Sequence, residues 1–152
     1  MQMCAKKTKL WYYLNVFDKK MLSTIPNYPL INSVQTFQDE RGLILNLADG
    51  DIGDVAVIIS EAGAIRANHF HNEDWHICHL IQGRSTYFWK DSLESRSQNL
   101  EMVSGMSVIT PPLVPHKFVF IEKTTMVVIS KLSRLKINYD TDTNGLNPSA
   151  FK

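Results

Sequence analysis

The chain has 152 residues, of which 20% are charged, a formal net charge of +1 and two cysteines. That length suits one domain with a substantial core, and so balanced a charge gives no reason to expect a nucleic-acid partner. Two cysteines do not make a disulfide framework, and no apolar run approaches the roughly 20 residues that would cross a bilayer, so no membrane partner is expected.

Residues 1–27 read as an N-terminal extension. Residues 1–20 carry five Lys and one Asp, leaving +4 there and −3 on the remainder. Leu10 to Phe17 follows a lysine cluster as in a signal peptide. It contains Asn15, runs straight into Asp18-Lys19-Lys20 and lacks a small-residue cleavage site, so a cytoplasmic location is expected. The aromatic residues Trp11, Tyr12, Tyr13 and Phe17 need cover, and a homodimer in which this segment packs on a neighbour's sheet is expected.

Residues 28–132 have an all-β texture. Strands are expected over Ile31 to Phe37, Leu43 to Leu47 and Asp54 to Ser60, with turns at Gln38 to Gly42 and Ala48 to Asp51. Gly63 to Gly83 then holds four of the five histidines. His69 and His71, two apart in a strand, project to one face. Asn72 to Asp74 reads as a turn, and Trp75 to Ile81 as a strand returning antiparallel, which would bring His76 beside the other two. Alternation puts His79 on the opposite face, and Cys78 reads as a small buried hydrophobe. Arg84 to Lys90 is an aromatic strand in which Tyr87 and Trp89 share a face. Further strands are expected over Gln98 to Val103, Met106 to Thr110, Lys117 to Glu122 and Thr125 to Lys131. Phe118 and Phe120 share a face beside His116. About ten short strands with regular turns suggest a sandwich or a barrel. Residues 133–152 read as a polar, loosely held C-terminal tail.

Three imidazoles on one inner face, His69, His71 and His76, make a site for one divalent transition metal chemically natural, because imidazole suits Fe, Mn, Ni, Zn and Cu alike.

The two histidine segments resemble the motifs of the cupins. The first cupin motif runs Gly, five residues, His-x-His, three or four residues, Glu, six residues, Gly. Gly63, His69, His71 and Gly83 match, with His76 in the Glu place. The second runs Gly, five residues, Pro-x-Gly, two residues, His, three residues, Asn. Gly105, Pro111 and His116 match, with Leu113 in place of Gly and Phe120 in place of Asn. The resemblance implies a single-domain jelly-roll β-barrel with the histidines converging inside it, and it adds His116 to make the expected metal ligands His69, His71, His76 and His116.

A second, shorter resemblance is to the sugar-nucleotide 3,5-epimerases and 3,4-ketoisomerases, which carry Asp-x-Arg-Gly and then Arg-Gly-x-His. Arg41, Gly42, Arg66 and His69 match, and Ala67 replaces the second Gly. It implies that His69 or His71 moves the proton next to a ketone, that Arg66 contacts a diphosphate, and that Arg41 helps to bind substrate. Tyr87, Trp89, Phe118 and Phe120 are the aromatic candidates for the pocket wall. The expectation is a small metal-binding isomerase or epimerase acting on a carbohydrate-related small molecule. A metal-dependent dioxygenase and a non-catalytic sugar-binding module stand as alternatives.

Overall fold

The computed structural model describes residues 29–31 and 35–152; the expected N-terminal extension, residues 1–27, and its part in a homodimer lie outside the described residues. Among the described residues, twelve strands and one short helix follow in order: β1 Leu30–Ile31, β2 Gln35–Asp39, β3 Gly42–Asn46, β4 Asp54–Ser60, β5 Ile65–His71, β6 His76–Gln82, β7 Arg84–Trp89, β8 Gln98–Val103, β9 Ser107–Thr110, β10 His116–Phe120, β11 Thr124–Ser130, α1 Lys136–Asp142 and β12 Thr143–Gly145.

The strands form two five-stranded antiparallel sheets, ordered β1-β9-β6-β11-β4 and β12-β5-β10-β7-β8, plus the separate hairpin β2-β3. This corrects the expected closed jelly-roll barrel. The fold is a two-sheet β-sandwich, and neither sheet closes on itself. The physical reason is the route of the chain. From β4 onward nearly every connection crosses from one sheet to the other, so turns span the gap where a shared hydrogen-bonded strand would be needed for closure.

Period-two alternation builds the interior. His116, Phe118 and Phe120 of β10 and Thr124, Met126 and Val128 of β11 are all buried. The main core joins Cys78, Leu80, Tyr87, Trp89, Met102, Val108, Val114, Phe118, Phe120, Met126 and Val128. The residues of opposite parity in the first sheet, Ile77, Ile109 and Ile129, pack with Ile31 and Trp75 in a second cluster. That sheet is therefore apolar on both faces, which explains why β6 reads as an unbroken apolar run.

The tail expected to be loose is tied down. β12 pairs with β5 through Thr143↔His71, Asn144↔Phe70 and Gly145↔His69. The seven-residue helix α1 is too short to persist alone. Its Asp142 is buried and is its anchor to the sandwich.

Candidate metal centre

The expected hairpin between the two histidine strands does not form. β5 pairs with β10 and β12, whereas β6 pairs with β9 and β11 in the other sheet. His76 meets the others across the sandwich, with its ring centroid 4.3 Å from that of His71 and 6.1 Å from that of His116. His116 lies opposite His69 in the β5–β10 ladder, with ring centroids 4.8 Å apart. His69 and His71 are 4.6 Å apart, so all four rings converge, and all four residues are buried.

Local backbone geometry sets this arrangement. Strict alternation would put Arg66 and His69 on opposite faces. The register slips between His116↔His69 and Lys117↔Ala67, leaving Asn68 as an extra residue. Ala67 and Asn68 both take left-handed conformations, with φ of 63° and 61°. The bulge turns Arg66 and His69 to one cavity. Leu113 is likewise left-handed, at φ 62°, and its N–H donates to the carbonyl of His71 at 2.7 Å. Ala67 and Leu113 stand where the two resembled motifs carry glycine, so the backbone keeps a glycine geometry that the side chains disfavour.

Carboxylates and carbonyls, which only accept here, fix the tautomers. His71 Nδ1 donates to Asp142 Oδ2 at 3.1 Å, His76 Nε2 to Asp74 Oδ2 at 2.9 Å, and His116 Nδ1 to the Val114 carbonyl at 3.0 Å. The lone pairs therefore lie on Nε2 of His71 and His116 and on Nδ1 of His76. His71 Nε2 and His69 Nε2 approach to 3.0 Å. Both aspartates are themselves held. Asp142 Oδ1 accepts from the Glu73 N–H at 2.8 Å, and Asp74 Oδ1 accepts from the Leu132 N–H at 2.9 Å.

Burial keeps His69, His71 and His116 neutral. His69 is pushed down to about 3, first by burial and then by His71 and His76. His71 is pushed down to about 2, first by burial and then by His76 and His116. His116 lies well below its ordinary value, again chiefly through burial. Neutral imidazole is the metal-binding form.

The donor set fits one divalent metal. His69, His71 and His116 can each present a ligand atom with all three atoms within 4.8 Å of one another, and His71, Asp74 and His76 form a second such group. Nitrogens about 2.1 Å from one ion lie about 3.0 Å apart at a right angle, which is the spacing of the His69 and His71 Nε2 atoms. Because His71 belongs to both groups, the two describe one site. The carboxylate behind His71 is the kind of outer partner that fixes a ligand's aim.

A cavity of about 320 Å³ adjoins the cluster. His69, His76 and His116 line it together with Arg66, Phe118 and Cys78, and Tyr139 and Arg134 complete the wall near the rings. Tyr139 has its ring 6.2 Å from His69 and 6.0 Å from His71. Among the expected substrate contacts, Arg66 and Phe118 reach this wall. Tyr87, Trp89 and Phe120 are packed in the main core; the Tyr87 hydroxyl hydrogen-bonds Thr110 Oγ1 at 2.7 Å and its ring stacks on Trp89. Arg41 lies on the exposed β2-β3 hairpin, paired with Asp39. His79 points away from the cluster to Ser107 Oγ at 2.8 Å. Burial drives the Cys78 thiol up to about 12, so it stays a neutral part of the wall.

Sequence reasoning did not single out Asp74, Asp142, Tyr139 or Arg134. Asp74 was hidden in a turn. Tyr139 and Asp142 are spaced i, i+3, which puts them on one helix face, but a polar seven-residue stretch carries almost no helix signal. Nothing in the sequence marks Arg134.

No family model matches the chain, and no curated protein matches it. Solved structures do. The dTDP-4-dehydrorhamnose 3,5-epimerase of Sulfolobus tokodaii matches with a TM-score of 0.62 and 15% identity over 77% of this chain and 76% of its own. ChmJ, a 3'-monoepimerase from Streptomyces bikiniensis in complex with dTDP-quinovose, matches with a TM-score of 0.62 and 16% identity over 75% and 67%. QdtA, a sugar 3,4-ketoisomerase from Thermoanaerobacterium thermosaccharolyticum in complex with TDP, matches with a TM-score of 0.62 and 16% identity over 78% and 88%. At such identities the likeness establishes the fold alone: over most of its length this chain has the fold of these sugar epimerases and this ketoisomerase.

Proposed function

We propose that this chain is a metal-dependent isomerase or epimerase that moves a proton on the carbon next to a ketone in a carbohydrate-related substrate. The observation that carries the proposal is the convergence of His69, His71, His76 and His116, with two buried aspartates behind them, beside a cavity of about 320 Å³ that His69, His76 and His116 line. The likeness to nucleotide-sugar enzymes favours a nucleotide-linked keto sugar.

In this reading His69, His71 and His116 hold the metal, which when bound supplies Lewis acidity toward a substrate oxygen. Asp142 keeps the proton of His71 on Nδ1, so that Nε2 stays a donor atom. His76 is the base. Asp74 holds its Nε2–H, leaving the lone pair on Nδ1 to take the proton from the substrate carbon and return it. Arg66, exposed at the cavity wall with Nε on Ser60 Oγ at 2.7 Å, meets a diphosphate at the mouth. Phe118, Met126 and Val128 form an apolar wall that excludes water from the enediolate.

A metal-free variant of the same chemistry has one observation in its favour. The 3.0 Å contact between His69 and His71 is also a sound hydrogen bond, with His69 Nε2–H donating to His71 Nε2. Elemental analysis of protein purified without added metal separates the two. Solvent deuterium entering a 4-keto-sugar nucleotide tests the shared reaction, and protein that incorporates none across a panel of such substrates is not this enzyme.

A further inference from the structure

Among the described residues, the cavity wall contains two guanidinium groups and no Asp or Glu. They are not equivalent. Arg66 is exposed and already engaged, through Nε with Ser60 Oγ and through Nη2 with the Ile59 carbonyl at 3.3 Å. Arg134 is half-buried. Its Nε is buried without a hydrogen-bond partner, and among the described residues no carboxylate pairs with it. The flat guanidinium lies over the Tyr139 ring, with Cζ 5.9 Å from the centroid. Its charge also acts on His69, His71, His116 and Cys78, which places it at the histidine end of the cavity.

A fixed cation beside the imidazoles, with a buried donor unspent, is a poor neighbour for a neutral sugar. Hydroxyls match it weakly, whereas a carboxylate takes two parallel N–H bonds from a guanidinium and neutralises it. The two guanidiniums have different neighbours, Arg134 lying against Tyr139 and Arg66 being held by Ser60 and Ile59. We propose that Arg134 is a specificity-determining residue that holds a carboxylate on the substrate, so that the preferred substrate is a sugar acid, such as a uronate, in place of a neutral or 6-deoxy sugar. This rests on the carbohydrate reading above and names its substrate class.

The test is a binding comparison by calorimetry on the full chain, with UDP-glucuronate, UDP-glucose and UDP as probes, and free glucuronate against free glucose in case uridine is the wrong base. UDP-glucuronate is expected to bind at least tenfold tighter than UDP-glucose. Arg134→Gln is expected to bring the ratio near one while leaving UDP affinity unchanged, and Arg134→Lys to restore part of the ratio. The wild-type ratio decides even if a variant misfolds. The proposal is overturned by a wild-type ratio near one for both sugar pairs, by a ratio that survives in Arg134→Gln, or by an equal loss of UDP affinity in that variant, which would make Arg134 a phosphate contact. Failure of deuterium exchange alongside a large ratio would sink the isomerase reading and leave this one standing.

Discussion

Asp142 and His71, 71 positions apart, share a buried hydrogen bond of 3.1 Å that ties the C-terminal helix to the histidine cluster. The same carboxylate accepts from the backbone N–H groups of Glu73 and Asp74. Asp142→Ala therefore strands three donors, of which those of His71 and Asp74 are buried. The expected cost is about 2–4 kcal/mol, by the penalty for unmade buried hydrogen bonds. Asp142→Asn keeps one carbonyl acceptor and should lose less. Metal affinity should fall about tenfold or more in both, since outer-shell partners of this kind contribute that much. Urea denaturation and a competitive metal titration measure the two effects. An alanine variant as stable as wild type would mean that the tail is not anchored here.

Backbone strain before His69 and before His116 gives a stability prediction of opposite sign. Ala67 and Leu113 are held at φ near +60°. A left-handed conformation costs a non-glycine residue about 1–2 kcal/mol, partly offset by the greater entropy that glycine loses on folding. Ala67→Gly should stabilise the chain by about 0.5–1 kcal/mol. Leu113→Gly should gain less, because the leucine gives up what packing it has. The readout is the shift in urea midpoint, and a midpoint lowered by Ala67→Gly contradicts the strained bulge.

Buried neutral histidines make stability depend on pH in a defined direction. His69, His71 and His116 have folded pKa values below the unfolded value of 6.5, with His69 at about 3. Above pH 6.5 neither state binds these protons, and stability is level. Below it the unfolded chain takes up protons that the folded chain refuses, so stability falls as pH drops from 6.5 toward 3. Each group adds a slope of up to about 1.4 kcal/mol per pH unit. Urea midpoints in chelator at pH 7.5, 6.0 and 5.0 should decline in that order, less steeply in His116→Gln. Equal midpoints would show the rings to be solvated.

How far the sequence revealed this site follows from what each feature demands. Strands with clear alternation or an unbroken apolar run were legible: β4 and β8 begin and end where expected, at Asp54–Ser60 and Gln98–Val103. The convergence of four histidines was legible because their spacing matches two motifs. The partner of each strand was not. A tight turn such as Asn72 to Asp74 serves a hairpin or a crossing between sheets equally well, and only the three-dimensional route distinguishes a closed barrel from the open sandwich observed. Asp74, Asp142 and Arg134 were illegible for another reason. A polar residue in a polar stretch looks the same whether it faces water or an imidazole.

The last prediction separates holding the metal from moving the proton. His116 donates Nδ1–H to the Val114 carbonyl, and its Nε2 lone pair belongs to the three-histidine group. His76 instead spends Nε2–H on Asp74, and these two stand in the second group, joined to the first only through His71. If His76 is the base, His76→Gln should retain close to one metal per chain while deuterium exchange falls about 100-fold or more, the usual range for a lost general base. His116→Gln should lose metal and exchange together. Metal content by elemental analysis, read beside the exchange rate of the same preparation, gives each variant two coordinates. Should His76→Gln shed its metal as His116→Gln does, His76 is a ligand in the place where the resembled motif has Glu, and the proton must be carried by another group on the cavity wall. Tyr139 would then be next to test, since its ring stands about 6 Å from both His69 and His71.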